Sequence, residues 1–128
     1  MKRIFYLITI LFLPVLLSGQ TGNTKIESKV IPFKLSEITL TASPFRKAML
    51  LDEKWLLSFE PDRFLSGFRS EAGLSPKASK YGGWESKGVA GQTFGHYLSA
   101  LSMMYASTGN EELNNRIKYS INELDSCQ

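Results

Sequence analysis

Apolar residues fall into distinct periods along the chain, and the first of these is a run with no period at all. Ile4 to Leu17 is apolar except for Thr9, a stretch of 14 residues preceded by Lys2 and Arg3 and followed by Ser18, Gly19 and Gln20. A charged start, an apolar centre and small or polar residues beyond it form the layout of a secretory signal peptide. The run falls short of the roughly 20 residues that a spanning helix needs, and Pro14 interrupts it. Residues 1–20 are therefore expected to be a signal peptide cut after Gly19 or Gln20. The mature chain would then be secreted or periplasmic, without a membrane anchor. No cysteine follows the apolar run, which argues against a lipid anchor.

Beyond a polar lead-in over residues 21–31, residues 32–128 carry the structural pattern. Glu37-Ile38-Thr39-Leu40-Thr41 alternates polar and apolar residues, the period of a short strand. Ser43 then offers a helix N-cap and Pro44 a first helical residue. Phe45, Ala48, Met49, Trp55 and Leu56 recur at helical spacing as far as Phe59, and Glu60-Pro61 ends the element. Residues 60–91 hold Gly67, Gly73, Gly82, Gly83, Gly88 and Gly91 together with Pro61 and Pro76, so a long loop is predicted, with a short helix from Asp62 to Phe68. Loops of this length are uncommon unless functional, and this one carries Phe64, Phe68, Tyr81 and Trp84.

Two further helices are predicted. The first spans Gln92 to Ser107, with Phe94, Tyr97, Leu98, Leu101, Met104 and Tyr105 in one stripe and Thr108-Gly109 as its stop. The second starts at Asn110 with Glu111 and Glu112 in its first turn, where the helix dipole favours negative charge. Leu113, Ile117, Ile121 and Leu124 mark its buried edge. The short connection makes the pair an antiparallel hairpin. Three firm helices, one strand and a long loop supply few partners for these stripes, so exposed apolar faces are expected.

Charge narrows the function classes. Lys and Arg number 15 against 12 Asp and Glu. Losing Lys2 and Arg3 with the signal leaves 13 basic residues and a net charge of about +1. Those residues are scattered, so no nucleic-acid partner is implied. The single cysteine, Cys127, cannot form an internal disulfide; it is free, paired between molecules or buried.

Three motifs in order resemble a known family. The first is Leu57-Ser58-Phe59-Glu60-Pro61-Asp62-Arg63-Phe64-Leu65, continued by Phe68-Arg69 and Ala72-Gly73-Leu74. The second is Tyr81-Gly82-Gly83-Trp84-Glu85. The third is Gly91-Gln92-Thr93-Phe94-Gly95-His96-Tyr97-Leu98-Ser99-Ala100-Leu101-Ser102, with Met104-Tyr105-Ala106 and Thr108-Gly109-Asn110 after it. Together with the Ser43-Pro44-Phe45 start, they resemble the opening of the β-L-arabinofuranosidases of glycoside hydrolase families 127 and 146. The resemblance covers Phe33 to Gln128.

That resemblance implies a mainly α fold, the first helices of an (α/α)6 barrel with a short N-terminal strand, incomplete in this chain. It implies a secreted glycosidase acting on arabinose-containing, plant-type glycans, with a zinc-bound cysteine nucleophile and a glutamate acid/base. A zinc-bound thiol is deprotonated and oriented, the reason for such a pairing; most glycosidases use two carboxylates instead. The family's catalytic and metal positions match no residue here, so the expectation is no catalytic residue, no metal ligand and no cofactor in this chain, with zinc and a missing C-terminal part belonging to the full-length parent. The alternative from another class is a stand-alone exported helical module that binds a glycan or a partner without catalysis.

Four residues are the candidates for substrate binding: Trp84, Glu85, Gln92 and His96. Indole rings pack on sugar C–H faces, and carboxylates accept from paired hydroxyls. The competing roles are a Trp84 that plugs the barrel end and a Glu85 that caps a helix. His96 either faces a sugar or pins its helix to the preceding loop. Gln92 stands where many relatives carry His, keeping a donor and an acceptor but no titratable group. Structural roles are expected for Asp62 as an N-cap or a partner of Arg69, Arg63 as a surface charge, and Cys127. Core packing is expected for Met103-Met104-Tyr105, and solvated charges for Glu111, Glu112 and Glu123.

Overall fold

A computed structural model describes residues 30–128. The readings of a signal peptide over 1–20 and of a lead-in up to residue 29 lie outside the described residues. Helices α1 (Pro44–Ser58), α2 (Pro61–Glu71), α3 (Gln92–Thr108) and α4 (Glu111–Asp125) dominate, with 3-10 turns at Leu35–Glu37 and Gly83–Ser86. The fold is mainly α, as expected, and its helices pair in the manner of an α-helical barrel's leading part.

The helix ends follow from local chemistry. Ser43 is extended, its Oγ accepts the Arg46 N–H at 3.2 Å, and Pro44 opens α1. Glu60 takes an extended conformation, as the residue before a proline must, and this breaks α1 from α2. Pro61 then opens α2 itself, since a first helical position has no N–H to lose. The helix predicted from Asp62 to Phe68 therefore begins one residue earlier and continues three residues further, tolerating Gly67. It stops at a Schellman motif: Leu74 N–H reaches Arg69 O at 2.8 Å, Gly73 N–H reaches Ser70 O at 3.1 Å, and Gly73 is left-handed at φ 74°. Gly109 at φ 69° closes α3, and Asn110 caps α4 by accepting the Glu112 N–H at 3.0 Å.

The strand expected over 37–41 does not form among the described residues. Leu35–Glu37 is a 3-10 turn closed by the Glu37 carboxylate accepting the Lys34 N–H at 2.9 Å. Ile38 is extended as predicted (φ −114°, ψ 124°), but no neighbouring strand offers it a ladder. Alternation specifies a conformation for one strand; a sheet needs a second.

The core of the unit Pro32–Gln128 joins Leu56 of α1, Phe64 and Leu65 of α2, Phe94, Tyr97 and Leu101 of α3, and Leu113 of α4. Every α3 residue of the predicted stripe belongs to this cluster or packs against it. The aromatic centre is dense: Phe64 stacks on Tyr97 at 5.1 Å and on Phe94 at 5.5 Å, with Tyr81 tilted against it at 4.7 Å. On α4 the inward line runs through Leu113, Ile117, Ser120 and Leu124. Ile121 is exposed, correcting its expected place on the buried edge, because the 3.6-residue period turns Ser120 inward in its stead. Met103 is likewise exposed, while Met104 and Tyr105 pack on the core.

Side chains from α4 tie the elements together. Arg116 Nη1 donates to Phe59 O at 2.6 Å, holding the α1–α2 corner. Tyr119 Oη donates to Asp62 of α2. Glu123 accepts from Arg69 of α2 and from Lys77 of the following loop, each at 2.7 Å. Asp62 thus pairs with Tyr119 and not with Arg69, and Glu123 is a clamp between elements instead of a solvated charge. The N-cap of α2 is Glu60, one position before Pro61, which puts Asp62 inside the first turn.

Helix α1 buries only Leu56. Phe45, Leu51 and Trp55 lie 76%, 67% and 61% exposed. At 100° per residue, Ala48, Leu51 and Trp55 share one side of the helix, away from Met49, Glu53 and Leu56. The stripe read from Phe45 to Leu56 is therefore two apolar faces, of which the core takes one. Bare apolar surface was expected, and α1 carries it.

Candidate functional site

Glu85 organises the approach to α3. It lies in the 3-10 turn Gly83–Ser86, buried to 7% exposure while the other residues of 82–90 are exposed. Its Oε2 accepts the Gly91 N–H and its Oε1 the Thr93 N–H, both at 3.0 Å. These are among the N–H groups that a helix start leaves without internal partners, and the helix dipole favours an anion there. Burial raises the Glu85 carboxyl, but the hydrogen bonds from Gly91 and Thr93 outweigh it and hold the group below the usual carboxylate range.

Gly91 is required at this start. Its φ of 91° is left-handed, and a Cβ placed there would sit 2.9 Å from Phe68 Cζ. The aromatic wall of α2 therefore meets the α3 backbone directly, fixing where the helix begins.

The other candidates surround this capped terminus. Trp84, next to Glu85 in the turn, is 72% exposed. Gln92 is the first residue of α3, and His96 stands four residues on; both are exposed. Residues four apart lie above one another on a helix, so the Gln92 amide and the His96 imidazole share a face. The structure thus brings the four candidates to one end of the bundle and divides their work. Glu85 caps α3 with both oxygens, while Trp84, Gln92 and His96 present an indole, an amide and an imidazole to solvent. Such a set can pack against a sugar's C–H face and exchange hydrogen bonds with its hydroxyls.

A groove of about 550 Å³ opens beside Glu85, lined among others by Arg63, Phe64, Phe68, Lys80 and Cys127; Trp84, Gln92 and His96 do not line it. Arg63, expected as a surface charge, instead lies over the Tyr81 ring with its guanidinium carbon 4.0 Å from the centroid, and its Nε donates to Ser79 O at 3.1 Å. The Cys127 thiol donates to Glu123 O at 3.1 Å at the end of α4, the structural place expected for it.

Zinc asks for a cluster of thiolate, imidazole or carboxylate ligands. Among the described residues no group of three or more His, Cys, Asp or Glu is placed to hold a metal ion. No helix among them is long and apolar enough to cross a membrane.

Sequence reasoning missed the clamp at Glu123 and the stacking of Arg63 on Tyr81. The first joins residues 54 apart and has no local signal. The second had one in an arginine at the start of α2 followed by a Tyr-bearing loop, though nothing fixed the register.

Comparison with known proteins places these helices. No curated protein matches the chain. A protein-family model for the β-L-arabinofuranosidase GH127 catalytic domain matches residues 37–128, from the first 3-10 turn through α4. The helices, the capped start of α3 and its exposed candidate residues all lie inside that match, and the chain belongs to the GH127 β-L-arabinofuranosidase catalytic-domain family.

Proposed function

We propose that residues 32–128 form the opening helices of the catalytic barrel of a secreted glycoside hydrolase that removes terminal arabinofuranosyl units from plant-type glycans, and that these helices alone are inactive. The observation that carries the reading is the exposed indole of Trp84 next to Glu85, the residue that caps the helix bearing the exposed Gln92 and His96, all inside the region matched to a glycosidase catalytic domain. In this reading the three side chains hold the sugar, and the nucleophile, the acid/base and any zinc come from elsewhere in the parent enzyme. The apolar side of α1 supports it, since Ala48, Leu51 and Trp55 suit a further helix. Export is supported by the charge and hydropathy layout of residues 1–20.

Two measurements on the purified chain test this. Supplied with zinc and an aryl β-L-arabinofuranoside, it should show no turnover; hydrolysis above background would refute the inactivity. Titration with an L-arabinofuranoside should perturb tryptophan emission in the parent chain and not in a Trp84→Ala variant. An identical response in both would remove Trp84 from the site.

A further inference from the structure

We propose that Glu85 is a positioning residue: its carboxylate, bridging the Gly91 and Thr93 N–H groups, is what holds the Trp84 turn in register with Gln92 and His96. The proposal rests on the reading of Trp84 as a sugar platform, but its test does not need the sugar.

The argument is one of anchorage. Residues 82–90 are exposed apart from Glu85. The remaining hydrogen bonds of the turn are local: Ser86 Oγ to Gly83 O at 2.9 Å and Lys87 N–H to Trp84 O at 3.2 Å. Neither reaches α3. The Gln92 N–H to Val89 O contact, at 3.3 Å, ties α3 only to the tail of the loop. Flanking glycines add freedom, with Gly83 at φ 67° and Gly88 at φ 92° and open space around both. On its N-terminal side Tyr81 packs on Phe64 at 4.7 Å and accepts the Glu60 N–H at 3.0 Å, which ties that end to α2, but Gly82 and Gly83 separate Tyr81 from Trp84. Toward α3 the side-chain hold on the turn is Glu85, and a turn flanked by permissive residues follows that hold. Trp84 is bonded directly to the anchored residue, so its ring direction relative to α3 depends on the Glu85 bridge. The bridge requires an anion, because a carboxylate accepts on both oxygens while its protonated form gives up one of those places to a hydroxyl.

The charged and titratable groups around Glu85 are few. Arg63 and Glu71 of α2, Lys80 of the loop and Cys127 beyond α4 line the same groove, and Glu85 hydrogen-bonds to none of them.

The experiment uses the full chain with Trp55→Phe, which leaves Trp84 as the sole tryptophan. Time-resolved anisotropy of Trp84 is followed against pH, with far-ultraviolet circular dichroism recorded in parallel. In the chain that keeps Glu85 the slow component should be lost, and local nanosecond motion gained, in one titration below the ordinary carboxylate range, before helix content falls. Glu85→Gln should show intermediate motion at neutral pH and no such titration, and Glu85→Ala full loss of the slow component with the helices intact. Unchanged Trp84 motion in Glu85→Ala, or a titration that persists in Glu85→Gln, overturns the proposal. Should Glu85→Ala fail to fold, the pH profiles of the Glu85→Gln variant and of the chain that keeps Glu85 decide: coincident profiles reject it. A Trp84 that follows Glu85 but ignores an L-arabinofuranoside would sink the sugar reading and leave the positioning role standing.

Discussion

Arg69 of α2 and Glu123 of α4 meet at 2.7 Å across 54 residues of chain, and the same carboxylate takes Lys77 at 2.7 Å on its other oxygen. One acidic side chain thereby fixes a helix and the loop that follows it against a second helix. The Lys77 hydrogen bond leads the effects that hold Glu123 below the usual carboxylate range, ahead of the charges of Lys77 and Arg69.

A carboxyl whose folded value is lowered stabilises the fold above its unfolded value and loses that effect as pH falls through the folded one. Glu123→Gln is therefore expected to be less stable than the parent chain at neutral pH. The difference should shrink as pH drops below the ordinary value of 4.5. Thermal melts of both chains across that range measure it, and a gap independent of pH would contradict the clamp.

Leu101 and Leu113 are fully buried on the two arms of the α3–α4 hairpin. Truncating either to Ala should cost about 2–5 kcal/mol, the range for removing a buried leucine and leaving a cavity. Urea unfolding should show the loss as a lowered midpoint with an unchanged slope.

Two left-handed glycines make a controlled pair. Gly73 has open space where a Cβ would go, so Gly73→Ala meets only the backbone penalty of about 1–2 kcal/mol. Gly91→Ala meets a similar penalty and the Phe68 ring at 2.9 Å. The Gly91 variant should be the less stable, and adding Phe68→Leu should recover part of the loss; denaturant titration of all three decides.

The bare side of α1 should behave as surface. Leu51→Glu is expected to change stability by no more than about 0.5 kcal/mol, as surface substitutions do. It should also lower self-association and the binding of hydrophobic dyes. Light scattering and dye fluorescence at matched concentrations check both; a large drop in the melting temperature would mean that Leu51 is packed.

Much of the fold was legible where the signal was local. Ser43-Pro44 and Gly109-Asn110 mark helix ends through groups that act within a few residues, and α1, α3 and α4 begin and end close to where those signals put them. Pro61 has two local meanings, the stop of one helix and the start of another, and weighing only the first shortened α2. Period alone could not separate the two sides of α1, nor place Ser120 ahead of Ile121, because both depend on which neighbours arrive. At the candidate site, the choice of Trp84, Glu85, Gln92 and His96 came from residue type and resemblance. The division of labour between them did not, since the Glu85 bridge spans a glycine-rich loop whose path no periodicity describes.

The bond from Arg116 to Phe59 O also orders events in time. Phe59 leaves the ribosome 57 residues before the guanidinium that holds its carbonyl. At ~5–20 residues per second that is a wait of about 3 to 11 s. During synthesis the α1–α2 corner has its proline but not its brace, so the Arg116 hold on it is added only when α4 emerges. Tyr81, Phe94 and Tyr97, the rings that cover Phe59 and Phe64, emerge before Arg116, so the aromatic packing can form first and the brace locks it afterwards.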